Sequence, residues 1–151
     1  METMIQQLEV GLSDLFEADE TAWLEMSSRL ISEGRFAELD FTHLAEYLND
    51  MARRDKREVS RRLAVLIAHL LKWRYQPERR MGGWRATIEV QRRDLAELLE
   101  AGSLRLHATE SLEKAYSNGV LRAVAETNLD ASVFPATCIY TLEQLLAKEA
   151  E

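Results

Sequence analysis

Apolar residues recur every three or four positions along most of the chain, and no alternating apolar–polar run stands out. The pattern predicts an all-α fold. Its clearest stretch is Leu63, Leu66, Ile67, Leu70 and Leu71, which mark one helical face and lead into Trp73 and Tyr75. Pro77 disfavours the helical region at Gln76, so this helix is predicted to end at Tyr75 or Gln76. A second run, Trp84, Ile88, Gln91, Leu95 and Leu98 or Leu99, predicts a helix over 84–101 ended by Gly102. The loop between them is short, so the two helices should be antiparallel neighbours. Trp73, Tyr75 and Trp84 should then form a packing centre around that loop.

Upstream, Leu8, Leu12, Leu15 and Phe16 suggest a short helix or arm within residues 1–18. Asp19 can cap a helix to Glu33, with Trp23, Met26, Leu30 and Ile31 on one face and Gly34 as its stop. Asp40 is the next candidate cap, with Leu39 and Leu44 as a hydrophobic staple, followed by Leu48 and Met51. The charged run 52–58 contains neither Gly nor Pro. It therefore reads as the middle of one helix over 41–75, the alternative being two helices bent near Asp55.

Downstream, Ser103 is a candidate cap for a helix marked by Leu106, Leu112, Tyr116, Val120 and Val124. Gly119 within it requires either a closely approaching neighbour or an interruption. Residues 128–135 read as loop or one short turn. Thr141 with Gln144 forms a capping box, and Tyr140 with Leu145 a staple, for a last helix over 142–148. The fold expected is a single all-α domain, 19–151, of five or six helices around a long central one, preceded by the 1–18 arm.

Composition narrows the class. Hydrophobic residues at 46% and charged residues at 30% fit a soluble globule. The single Cys138 excludes an internal disulfide and a cysteine zinc cage, and fits a reducing compartment, here the cytoplasm. Met1 to Val10 hold two glutamates and no basic residue, unlike a signal peptide. No apolar stretch is long enough to span a bilayer, so no membrane role is expected. The net charge of −7 conceals a division: −10 over residues 1–52, +9 over 53–93 and −6 over 94–151.

Several motifs occur in a characteristic order: Ala22-Trp23-Leu24, Glu33-Gly34-Arg35-Phe36, Glu38-Leu39-Asp40, the run from His69 through Trp73, Tyr75 and Pro77 to Arg80, Trp84 with Thr87 and Ile88, Gln91-Arg92-Arg93, Phe134-Pro135, and Tyr140 to Gln144. Together they resemble the bacterial family called domain of unknown function 29. The resemblance spans most of residues 20–146. It implies an all-helical domain and no activity. The chain departs from the family in carrying Gly82-Gly83 where a serine is expected before the tryptophan, and Ala101-Gly102-Ser103 where a serine-proline turn is expected.

Candidate chemistry is sparse. Gly82-Gly83 before a helix start, with Arg79, Arg80 and Arg85 around it and His69 on the preceding helix, suggests an anion site. No GxxxxGK[ST] spacing accompanies it. Arg53, Arg54, Lys56, Arg57, Arg61 and Arg62, with Lys72, Arg74, Arg92 and Arg93, suggest contact with nucleic acid. Pairing with the chain's own acidic flanks is the competing reading. His43 with Glu46 and His107 with Glu110 are His-x-x-Glu pairs, the reverse of the order used in carboxylate-bridged di-metal bundles, so no metal is expected. No nucleophile–base constellation accompanies His69 or Cys138, so no catalytic residue is assigned and no cofactor is expected. These readings favour a non-enzymatic interaction module that binds a protein partner or itself. Nucleic acid or a small anion at the basic centre is the alternative.

Overall fold

The computed structural model describes residues 11–147, so Leu8 and the end of the last predicted helix lie outside it. The described residues form helices and no strand. The helices are α1 (Leu12–Ala18), α2 (Glu20–Ser32), α3 (Phe41–Tyr75), α4 (Gly82–Leu98), α5 (Gly102–Glu110), α6 (Leu112–Thr127) and α7 (Leu142–Leu146). Short 3-10 turns lie at Phe36–Glu38, Pro77–Arg79 and Ala131–Val133. Packing groups the chain into two compact units, Met1–Ala52 and Arg53–Glu151. The division falls inside α3, at the position where the acidic segment gives way to the basic one.

In the first unit, the Asp19 carboxylate accepts from the Ala22 amide, and Gly34 at φ +72° ends α2. Trp23 is fully buried and donates its indole N–H to Asp40 at 3.2 Å. Asp40 also accepts from the His43 amide at 3.4 Å, which caps α3. Phe16 and Tyr47 pack on the Trp23 ring, and Phe16 stacks on His43. Burial pushes the Asp40 carboxyl up, but hydrogen bonds from His43 and Trp23 outweigh it and hold the group below the usual carboxylate range. Leu48, expected on the packed face, is exposed, as is Ile31. His43 and Tyr47, one turn apart, face Phe16 and Trp23 instead.

In the second unit, α3 is apolar around most of its circumference between Leu63 and Leu71, and Leu63, Leu66, Ile67 and Leu71 are all 0% exposed. Each such side chain contributes about 1.5–3 kcal/mol on burial. Helix α4 packs in the same core through Ile88 and Leu95, and Leu99 just past its end joins them. Arg62 of α3 reaches Gln91 and Asp94, whereas Lys72 and Trp73 meet Trp84 and Arg85. Position falls along α4 as it rises along α3, so the pair is antiparallel. Helix α6 runs parallel to α3, because Ile67 meets Gly119 and Lys72 meets Glu126. Thr141 and Gln144 make both bonds of the capping box on α7, and buried Arg92 donates to the Leu145 carbonyl at 2.9 Å.

Four local expectations are corrected. Helix α4 begins at Gly82, two residues before Trp84. Gly102 does not stop α4 but opens α5, because a turn at Leu99–Ala101 closes through Glu100 N–H to Glu97 and Ala101 N–H to Leu98, with no left-handed residue. Ser103 lies inside α5, and Ala101 occupies the cap position. The helix over 103–127 is broken at Ser111, which resets the helical phase and leaves Leu106 exposed while Leu104 and Ala108 are buried. Gly119 is not the break: it marks a close approach, to Ile67.

A candidate anion cleft

The basic turn at the start of the second unit is split by helical geometry. Arg53 with Lys56 and Arg57, and Ser60 with Lys56 and Arg57, are pairs three or four residues apart, so the four share one face of α3. That face borders a cleft of about 450 Å³ completed by His107, Ser111, Lys114, Ala115 and Asn118. The lining contains four cationic side chains, no carboxylate and no aromatic ring other than the His107 imidazole. Ser60 Oγ and His107 Nε2 lie 2.9 Å apart in a hydrogen bond. Ser111 occupies the N-cap of α6, but its hydroxyl donates to the His107 carbonyl at 2.6 Å, leaving α6 without a side-chain cap. Among the described residues, Lys56, Arg57 and Lys114 have no carboxylate partner. Arg62, by contrast, is held by Glu58 and Asp94.

The loop arginines are arranged differently. The guanidiniums of Arg80 and Arg85 lie 4.8 and 5.5 Å from the Trp73 ring centroid, and Arg80 Nε donates to the Trp73 carbonyl at 2.8 Å. Lys72 lies over Trp84. The two tryptophans are therefore half-buried under cations rather than sealed in the core. Arg79 is exposed in the 3-10 turn. His69 Nδ1–H donates to the Val65 carbonyl at 2.9 Å, and its charged surroundings are Lys72, Arg122 and Glu126 rather than the loop. Burial holds its imidazole below the ordinary histidine range. The structure thus unites Arg80 with Arg85 and sets His69 in another neighbourhood.

Other polar clusters read as structural. Ser13, His43 and Asp40 have the composition of a catalytic triad. Yet both Ser13 Oγ, at 3.4 Å, and Asp40 Oδ2, at 2.6 Å, approach the same ring atom, Nδ1. A relay needs the hydroxyl and the carboxylate on opposite ring nitrogens. Cys138 Sγ donates to the Tyr140 carbonyl, and burial pushes its thiol up. Among the described residues, no three His, Cys, Asp or Glu side chains converge as a metal site.

Lys72 is buried and bonded to Glu126 at 2.6 Å, whereas the Glu126 side chain remains 39% exposed. Removing the two partners should therefore be unequal. Glu126→Leu leaves an ammonium buried without its counter-ion and is expected to cost about 1–3 kcal/mol. Lys72→Met leaves a carboxylate that water can reach, and is expected to cost under about 1.5 kcal/mol. Urea denaturation of both variants tests this; equal losses would contradict it.

Sequence alone pointed to the Arg53–Arg57 turn and to His107, but it missed Ser60, Ser111, Lys114 and Asn118. Ser60 lies one turn beyond Arg57 on α3, whereas Ser111, Lys114 and Asn118 join the turn only through the packing of α5 and α6 on α3, more than 50 residues away in the chain. Among the described residues, no helix is long and apolar enough to cross a membrane. The family model described as "Domain of unknown function DUF29" matches residues 15–150, nearly the whole chain. Neither a curated protein nor a solved structure matches.

Proposed function

We propose that the chain, which belongs to the DUF29 family, is a non-enzymatic binding module whose ligand is anionic and sits in the cleft at the basic centre. One observation carries this reading: Lys56 and Arg57 of α3 and Lys114 of α6 face one concavity that holds no carboxylate. A concave surface lined by one sign of charge concentrates its field on a counter-ion. The loop arginines near Gly82-Gly83 serve less well, because Arg80 and Arg85 are already laid on Trp73. The lone Cys138 fits action in a reducing compartment such as the bacterial cytoplasm.

The test is a thermal-shift panel of anions at low and high salt: phosphate, sulfate, citrate, an acidic peptide and an oligonucleotide. At least one anion should raise the melting temperature of the parent and of Arg54→Glu/Arg61→Glu, whose side chains do not line the cleft. The same anion should have little effect on Lys56→Glu/Arg57→Glu, and the shift should shrink at high salt. Equal shifts in the two double variants, or none in the parent, would overturn the reading.

A further inference from the structure

We infer that the group held in the cleft is a phosphate monoester, carried on a small molecule or on a phosphorylated side chain. This rests on the anion-binding reading and goes beyond it by choosing among anions. The donors are too many for a carboxylate. A carboxylate is planar, with two oxygens, and one guanidinium fork matches it. The cleft offers the ammonium groups of Lys56 and Lys114 and the guanidinium of Arg57, beside the hydroxyl of Ser60, the ring of His107 and the amide of Asn118. A phosphate monoester has three terminal oxygens and a charge of about −1.5 to −2 at neutral pH, which calls for more than one cation and for neutral donors beside them.

The direction of approach agrees. Lys56, Arg57 and Ser60 come from α3, His107 from α5, and Lys114 and Asn118 from α6. They converge on one volume instead of tracking a line. A nucleic-acid strand would need a basic stripe and flat rings on which bases stack. The lining holds no Phe, Tyr or Trp, and its volume falls in the range of small-molecule sites, about 300–1,000 Å³. The uncapped start of the 16-residue α6 adds backbone N–H groups and the positive end of a helix dipole at the same border. The Ser60–His107 bond uses one proton within the pair: with His107 Nε2–H donating to Ser60 Oγ, the Ser60 hydroxyl keeps its own proton for a ligand oxygen.

The experiment is calorimetric titration of the full chain with glycerol 3-phosphate, a phosphoserine peptide, its unphosphorylated counterpart, sulfate, acetate and a single-stranded oligonucleotide lacking terminal phosphates. At least one monoester should bind at least tenfold more tightly than sulfate, acetate or the unphosphorylated peptide, and which monoester binds identifies the source. Ser60→Ala and Lys114→Gln should each weaken it about tenfold, whereas Arg54→Gln should leave it unchanged. Lys114 is exposed, so its variant preserves the test should Ser60→Ala disturb folding. Binding of the oligonucleotide but of neither monoester, or of sulfate as tightly as the monoesters, overturns this inference and leaves the anion reading standing. Binding of no anion overturns both.

Discussion

Trp23→Ala is expected to remove about 3–5 kcal/mol, the largest loss from any single change in the first unit. The indole is 0% exposed, its ring touches Phe16 edge-on at 4.8 Å, and Tyr47 lies 5.9 Å away. Deletion removes the buried ring, opens a cavity that two aromatics cannot refill, and strips Asp40 of the indole donor. Asp40 caps α3, so the damage reaches the start of that helix. Trp23→Phe separates the terms. It keeps most of the ring and loses the N–H, and a hydrogen bond to a charged group is worth about 1.5–3 kcal/mol. The remaining tryptophans, Trp73 and Trp84, both lie in the second unit. Hydrogen exchange should therefore show lost protection over residues 12–52 of Trp23→Ala while those two fluorophores still report native surroundings. A total loss below about 1 kcal/mol would refute the assignment of Trp23 as the centre of that unit's core.

Gly119→Ala should destabilise the second unit by about 1–3 kcal/mol, the cost of overpacking a full core. On an unconstrained helix the same change would stabilise by about 1 kcal/mol, so the sign itself is diagnostic. A Cβ at this position would stand 2.7 Å from Ile67 Cγ2, 3.0 Å from Ile67 Cβ and 3.1 Å from the Ala64 carbonyl oxygen. The first two contacts belong to a fully buried side chain and the third to backbone, and none can swing aside. Adding Ile67→Ala removes the Cγ2 methyl. The double variant should therefore lose less than the sum of the single losses, by about 1 kcal/mol or more. Chemical denaturation of the two singles and the double closes the cycle. A stabilising Gly119→Ala would show that α6 stands farther from α3 than this geometry has it.

Local chemistry was legible wherever neighbours in sequence decide the structure. Asp19, Gly34, Asp40, Pro77 and the Thr141–Gln144 box act through backbone groups a few residues away, and each sits where its local chemistry places it. The signals failed where the backbone found another solution. Gly102 carries the signal of a helix stop because glycine tolerates positive φ, yet Leu99–Ala101 turn the chain without it. Leu48 and Leu106 followed the apolar repeat and are nevertheless exposed, because the packed face is chosen by the partner helix rather than by hydrophobicity alone.

The sequence by itself determined the all-α class, the apolar face over 63–71 and the basic segment at 53–93, since these depend on periodicity and charge within a short stretch; it left one helix or two over 41–75 open, and the structure shows one. Only the tertiary structure decided what that charge does. It turned Arg62 into an anchor for Glu58 and Asp94, laid Arg80 and Arg85 on Trp73, and brought Lys114 and His107 across to Lys56, Arg57 and Ser60. The physical reason is that a charge is quenched or left available by whatever packs beside it, and residues far apart in sequence supply those neighbours.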